Sequence, residues 1–361
     1  MNRREFIKTA GAVAVGTAIS GAPAVHAGKK YEWNMAMVFP EKSIVGAAGV
    51  RFARSIEKMS GGRVAIKVHG PGKLCPAFET FDAVRSGTVE IGCGSPSYWK
   101  AKHEACQFFT AVPFGLNAME TAAWLDYGGG QQLWDELYSR FNLKSFAMMN
   151  SGIQMGGWFN KEIKSTDDFK GIKLRMPGLG GEVLARLGAK AINLPPAKIV
   201  DALKAGSIDA AEWLNPFEDM QLGLYNAAKY YYWPGWHEPS AVAECFVNKK
   251  TYESLPEYLR EIIKQAAHAS YKDSVSMFLS DNISALKTLV KEHNVQLKRF
   301  PDRVLSKFGK LSMEVVREIA AKDPFTQKVY DSYIAFLEQS VVWDQIGEGG
   351  YSLSRSFILG Y

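Results

Sequence analysis

Apolar and polar side chains alternate through the first half of residues 31–39, and Pro40 stops the run. That period of two predicts a strand. Over 46–59 the apolar positions recur at helical spacing, and Gly61-Gly62 close the helix. Residues 64–68 read as a second strand and 78–84 as a helix ended at Ser86-Gly87. Residues 89–94 read as a third strand that finishes in small residues. The β-α-β-α-β order predicts a largely parallel sheet.

The pattern then repeats. Strands are predicted over 144–149 and 156–159, and Thr166 is expected to cap a helix or turn over 166–169. A strand over 172–176 stops at Pro177-Gly178, and a helix over 180–187 stops at Gly188. A strand over 189–194, a helix over 196–205 and a strand over 208–213 complete the series. Two lobes are expected, 28–150 with return segments after about 240, and 151–239. From Leu255 the spacing becomes helical, with helices over 304–321 and 325–337 split by Pro324. Residues 255–361 are expected to form a helical region that packs across both lobes.

The first 27 residues stand apart. Arg3-Arg4-Glu5-Phe6-Ile7-Lys8 precedes an uncharged apolar run, and Val25 and Ala27 sit at the −3 and −1 positions before Gly28. This is the layout of an export signal, and the arginine pair resembles a twin-arginine (Tat) signal. The mature protein is therefore expected in the periplasm. Removing the segment takes away three of 43 basic and one of 37 acidic side chains, which leaves a net charge of +4. The remaining basic residues are scattered, which argues against nucleic-acid binding. Cys75, Cys93, Cys106 and Cys245 match no zinc or CxxC spacing and are expected as free thiols.

Candidate chemistry gathers between Gln154 and Glu238. Arg175 ends a predicted strand, where its fork can hold a carboxylate or make a salt bridge. Gln154 can offer a carbonyl oxygen to a cation or serve as a core amide. Glu212 and Glu238 stand in aromatic company, and a buried carboxylate needs a cationic partner. That partner is a lysine or arginine, or a metal ion such as Na⁺, Mg²⁺ or Ca²⁺. His237 has no second histidine near it and is read as structural. No nucleophile elbow, zinc-protease, P-loop or dinucleotide motif is present.

The segments Gly171-Ile172-Lys173-Leu174-Arg175-Met176-Pro177 and Ala202-Leu203-Lys204-Ala205-Gly206 resemble the substrate-binding proteins of tripartite ATP-independent periplasmic (TRAP) transporters, of the DctP type. Gln154-Met155-Gly156-Gly157-Trp158, Glu212-Trp213 and the run from Tyr230 to Glu238 resemble a subgroup that binds 2-oxo or 2-hydroxy monocarboxylates with a metal ion. The resemblance implies an α/β, two-lobed periplasmic binding protein fold with a helical C-terminal region. It implies Arg175 as the ligand anchor. It implies Na⁺ or Ca²⁺ held by Gln154, Glu212, Glu238 and the main-chain carbonyl of Trp213. Tyr98 and Asn215 are carried over as ligand contacts, and Gln154 counts there too; Phe39, after the first strand, is expected among the substrate-binding residues as a pocket wall. The implied partners are a small organic-acid anion, a membrane permease and a second copy joined through C-terminal helices. The implied work is capture, with no catalytic residue. A dicarboxylate or sugar acid is the alternative ligand. A secreted metal-dependent enzyme is the alternative class.

Overall fold

The computed structural model describes residues 29–194 and 196–360; the segment expected as an export signal lies outside the described residues. The first lobe begins with β1 (Tyr31–Met37), α1 (Ile44–Met59), β2 (Val64–His69), α2 (Thr80–Ser86) and β3 (Ile91–Gly94). Two helices follow, α3 (Ala118–Asp126) and α4 (Gly130–Ser139), and then β4 (Leu143–Asn150). The hydrophobic pattern explains α1. Val45, Ala48, Phe52, Ala53 and Ile56 fall on one face and are buried. Gly61 and Gly62 end it at φ of 61° and 77°, a region that glycine enters freely.

The chain then crosses to a second lobe. It contains β5 (Gly157–Phe159), β6 (Lys173–Arg175), α5 (Gly178–Ala185), β7 (Lys190–Ala191), α6 (Ile199–Lys204), β8 (Ala210–Ala211), α7 (Pro216–Leu222) and β9 (Tyr230–Trp233). It returns to the first lobe as β10 (Val242–Asn248) and α8 (Lys249–Glu253). A long helix α9 (Glu257–Lys291) leads to β11 (Gln296–Arg299), then α10 (Asp302–Ala320), α11 (Pro324–Ile346) and α12 (Glu348–Leu359).

The first sheet has the order β2-β1-β3-β10-β4 and the second β11-β9-β5-β8-β6-β7. Neither sheet is wholly parallel. The returning β10 runs antiparallel between β3 and β4, and β5 runs antiparallel between β8 and β9. The expectation of a largely parallel sheet holds for β1–β3 and fails where the chain re-enters. Residues 255–361 are also not wholly helical, because β11 pairs with β9 at the edge of the second sheet. The strand predicted over 189–194 shrinks to Lys190–Ala191. The cap at 166–169 is Ser165, in a reciprocal box with Asp168, not Thr166. Helix α9 packs on β4 and α1 of the first lobe and on α7 of the second. The four cysteines are free.

Candidate functional site

The strands of both lobes end on one cleft, where open α/β sheets bind ligands. Phe39 follows β1 and Tyr98 follows β3; Arg175 closes β6, and Glu212 and Trp213 follow β8. The two crossings between lobes supply the rest. Gln154 lies on the outward crossing, His237 and Glu238 on the return. The crossings are fastened side by side: Gly156 N–H donates to the Tyr232 carbonyl at 2.7 Å and Ser151 N–H to the Ala241 carbonyl at 3.0 Å. A Cβ on Gly235 would stand 2.1 Å from the Gln154 carbonyl oxygen, so only glycine permits the approach.

Together these segments wall a small cavity of about 50 Å³. Gln154, Arg175, Glu212, Trp213 and Glu238 line it from one side, and Phe39 and Tyr98 from the first lobe. Arg175 is 2% exposed. Its Nε donates to the Leu194 carbonyl at 3.3 Å and its Nη1 to the Glu212 carbonyl at 2.5 Å. Nη1 also lies 3.5 Å from Glu212 Oε2. The guanidinium is thus pinned along one edge, with the Trp213 ring centroid 5.4 Å away.

The carboxylates are less well served. One donor atom each from Glu212, His237 and Glu238 falls within 4.8 Å of the others. Burial, and then the charge of Glu212, push the Glu238 carboxyl up to about 7. Burial works against charging His237, but Glu212 and Glu238 outweigh it and hold the imidazole above its ordinary value. His237 Nε2 is 3.5 Å from Glu212 Oε1, yet neither atom is aligned for a hydrogen bond. Gln154 Oε1 is likewise buried without a partner, while its Nε2 donates to Ser151 Oγ at 3.3 Å. Burial pushes the Tyr98 hydroxyl up to about 12; Arg175 opposes this, and Glu238 and Glu212 add to it.

Buried polar atoms are rarely left without partners. Here Gln154 Oε1 and Glu212 Oε1 are, and both residues face the cavity. Glu238 and Trp213 line the same cavity, and oxygen donors of this kind suit a hard cation. His237 does not line the cavity. It packs against Glu212, whose charge favours the protonated imidazole. The sequence had set it aside, although its place beside Glu238 was the available signal.

Asn215 stands apart from the other residues named from sequence. It does not line the cavity. Its Oδ1 accepts from Glu218 N–H at 3.4 Å and caps α7, and its Nδ2 donates to the Ser151 carbonyl at 3.1 Å. Both ends of the amide are committed to the fold. In its stead the cavity has Ser95, Ser97 and Thr110, which sequence reasoning missed. Ser95 Oγ lies 3.0 Å from Ser97 Oγ and 3.2 Å from Thr110 Oγ1. The small residues closing β3 were the available clue.

Residues 35–323 match the family described as bacterial extracellular solute-binding protein, family 7 (DctP). The chain is 38% identical to a monocarboxylate 2-oxoacid-binding periplasmic protein of Nostoc, over 97% of this chain and 98% of that one. Its fold is similar to that of a TRAP periplasmic solute-binding protein from Colwellia psychrerythraea with bound calcium and pyruvate. The TM-score is 0.87 at 39% identity, covering 90% of this chain and 100% of that one. A Pseudoalteromonas atlantica TRAP solute-binding protein with bound sodium and pyruvate has a TM-score of 0.87 at 38% identity, covering 90% and 99% of the two chains.

Proposed function

The chain belongs to the DctP family of TRAP transporter solute-binding proteins, and on that premise we propose that it captures a small 2-oxo or 2-hydroxy monocarboxylate, such as pyruvate, together with Na⁺ or Ca²⁺. The observation that carries this reading is the pair of unpartnered buried oxygens, Gln154 Oε1 and Glu212 Oε1, in a cavity that also holds Arg175. Arg175 is the one cation among the lining residues. One cation fits one carboxylate, and a dicarboxylate would leave its second charge unpaired. The cavity measures about 50 Å³. A water needs roughly 10–15 Å³ on this measure, so only a short acid and an ion are accommodated.

Each group then has a stated role. The free edge of Arg175 binds the ligand carboxylate. Gln154, Glu212, Glu238 and the Trp213 carbonyl would hold the cation, whose charge offsets the two glutamates and draws in a chelating 2-oxygen. Phe39 and Tyr98 exclude water from the first-lobe side, which strengthens every charge interaction inside. With both glutamates engaged by the cation, neither is free as a general base, and the site is read as one that binds and releases. The loaded protein would deliver its acid to the membrane permease. The arginine pair near the start supports export by the Tat route. A second copy is expected to cover Val342, Trp343, Ile346, Phe357 and Ile358, which are 62–82% exposed on α11 and α12. Sedimentation velocity would then give a dimer, and Ile346→Asp a monomer.

The deciding experiment is calorimetry of pyruvate on metal-stripped protein, with and without Na⁺ or Ca²⁺. Affinity should rise with the metal. Equal affinity in all three conditions would remove the cation from the site.

A further inference from the structure

Glu218 lies on α7, buried at 4% exposure, and its carboxylate faces both lobes. The first turn of any helix leaves amide donors to be satisfied from elsewhere. In α1, Ser43 N–H finds the Pro40 carbonyl at 2.9 Å and Gly46 N–H finds Ser43 Oγ at 3.1 Å. The two donors between them turn to the other lobe. Val45 N–H donates to Glu218 Oε1 at 3.2 Å, with Ile44 N–H beside it. Glu218 Oε2 accepts from the Trp213 indole N–H at 3.3 Å. Val45 lines the ligand cavity from the first lobe and Trp213 lines it from the second. The neighbouring Asp219 behaves differently. It takes its donors from Trp158, Leu214 and Tyr231, all on its own lobe.

We propose that Glu218 is the positioning residue for lobe closure, a latch whose carboxylate caps α1 only when the two lobes meet. In an open molecule water serves the Ile44 and Val45 amides and the carboxylate alike. On closure water leaves, and a charged acceptor at the positive end of a 16-residue helix replaces it. Removing the carboxylate therefore penalises the closed state alone, by leaving buried donors orphaned.

The test compares wild type, Glu218→Ala and Glu218→Gln. Pyruvate titration in Ca²⁺ should show Kd raised about 10- to 100-fold for Glu218→Ala, carried by faster dissociation. The ligand-free unfolding temperature should barely move. Glu218→Gln keeps an oxygen for the Val45 amide but opposes the Trp213 N–H, so its loss should be intermediate. A nitroxide on one lobe, read by paramagnetic relaxation on the other, should show a smaller closed fraction in both variants without ligand. Affinity within twofold of wild type and an unchanged closed fraction would overturn the latch. So would a ligand-free unfolding temperature that falls in step with affinity, since Glu218 would then serve the fold only. The titration arm rests on the ligand reading above. If wild type takes up no pyruvate, that reading has failed, and the ligand-free relaxation comparison still decides the latch. If Glu218→Ala does not fold, Glu218→Gln against wild type decides it.

Discussion

Two groups of buried acids divide the molecule. In the first lobe Glu244, wholly buried on β10, accepts from Trp99 Nε1 and the Tyr138 hydroxyl, each at 2.8 Å, and from the Ser145 hydroxyl. Burial pushes its carboxyl up to about 7, against the pull of those donors. At the cleft Glu212 is as deeply buried and Glu238 is half-buried, yet Glu212 Oε1 and the adjacent Gln154 Oε1 have no partner. Composition does not separate the two groups, since each sets glutamate among aromatics. Satisfaction does. A carboxylate whose donors are all supplied by the fold has finished its work on folding. One left short, around a cavity, is waiting for something the chain does not contain.

The sharpest way to break this contrast is to neutralise one acid from each group. Glu238→Gln removes one of two like charges packed within reach of each other. The ligand-free protein should keep its stability or gain some, while metal-dependent affinity for pyruvate falls about 100-fold, in the range for truncating a buried charged contact. Glu244→Gln puts an amide N–H among donors and should cost about 2–3 kcal/mol of stability, with affinity changed less than threefold. Chemical denaturation and calorimetry on both variants measure the four quantities. Equal losses of ligand-free stability would mean that the cleft acids are ordinary core residues.

The pH dependence is a smaller lever on the same contrast. Burial holds Asp219, like Glu244, up at about 7. Unfolded carboxyls titrate near 4. Between those values the folded state keeps protons that the unfolded state has released, so stability must fall as pH rises. The contribution is complete below the unfolded values and gone above about 7. Each group supplies about 1.4 kcal/mol per pH unit across the window. Asp168, held low chiefly by the Lys164 N–H, titrates beneath it. Thermal melts of metal-free protein should therefore peak at about pH 4 and decline to about pH 7.5. Glu244→Gln should flatten the decline. A stability that rises across this range would contradict it.

Much of this architecture was legible in the chain. The run from β1 to β3 could be read because Pro40, Gly61-Gly62 and Ser86-Gly87 punctuate it and each element keeps a single period. Helices α3 and α4 were harder, because Trp124 and Trp134 serve a stack around Phe109 that no local period reveals. Strand β10 is buried on both faces, so it has no alternation to read. Strand β11 is a short polar edge whose partner lies far away in sequence. At the cleft the residues named from sequence, apart from Asn215, line one cavity because strand ends and crossings converge there. What sequence could not supply was pairing. Whether His237 packs against Glu212, and whether Glu218 looks inward or across, depends on contacts between segments well separated along the chain.

Asn215 gives the finest test, because it sits one step from the cavity. Its side chain bonds the carbonyl of Ser151, a lining residue, and caps the helix that carries Glu218. If the cap is its whole role, Asn215→Ala should cost about 1 kcal/mol of stability, a fall of roughly 1–2 °C in unfolding temperature for a chain of this size. Affinity for pyruvate should then stay within about threefold, since helix α7 remains held through Asp219 and its three donors. Asn215→Asp keeps the capping oxygen and loses only the donor to Ser151, so it should recover part of the lost stability. A variant that melts like wild type and loses most of its affinity would return Asn215 to the ligand shell, and a satisfied side chain would no longer mark a residue as finished with function.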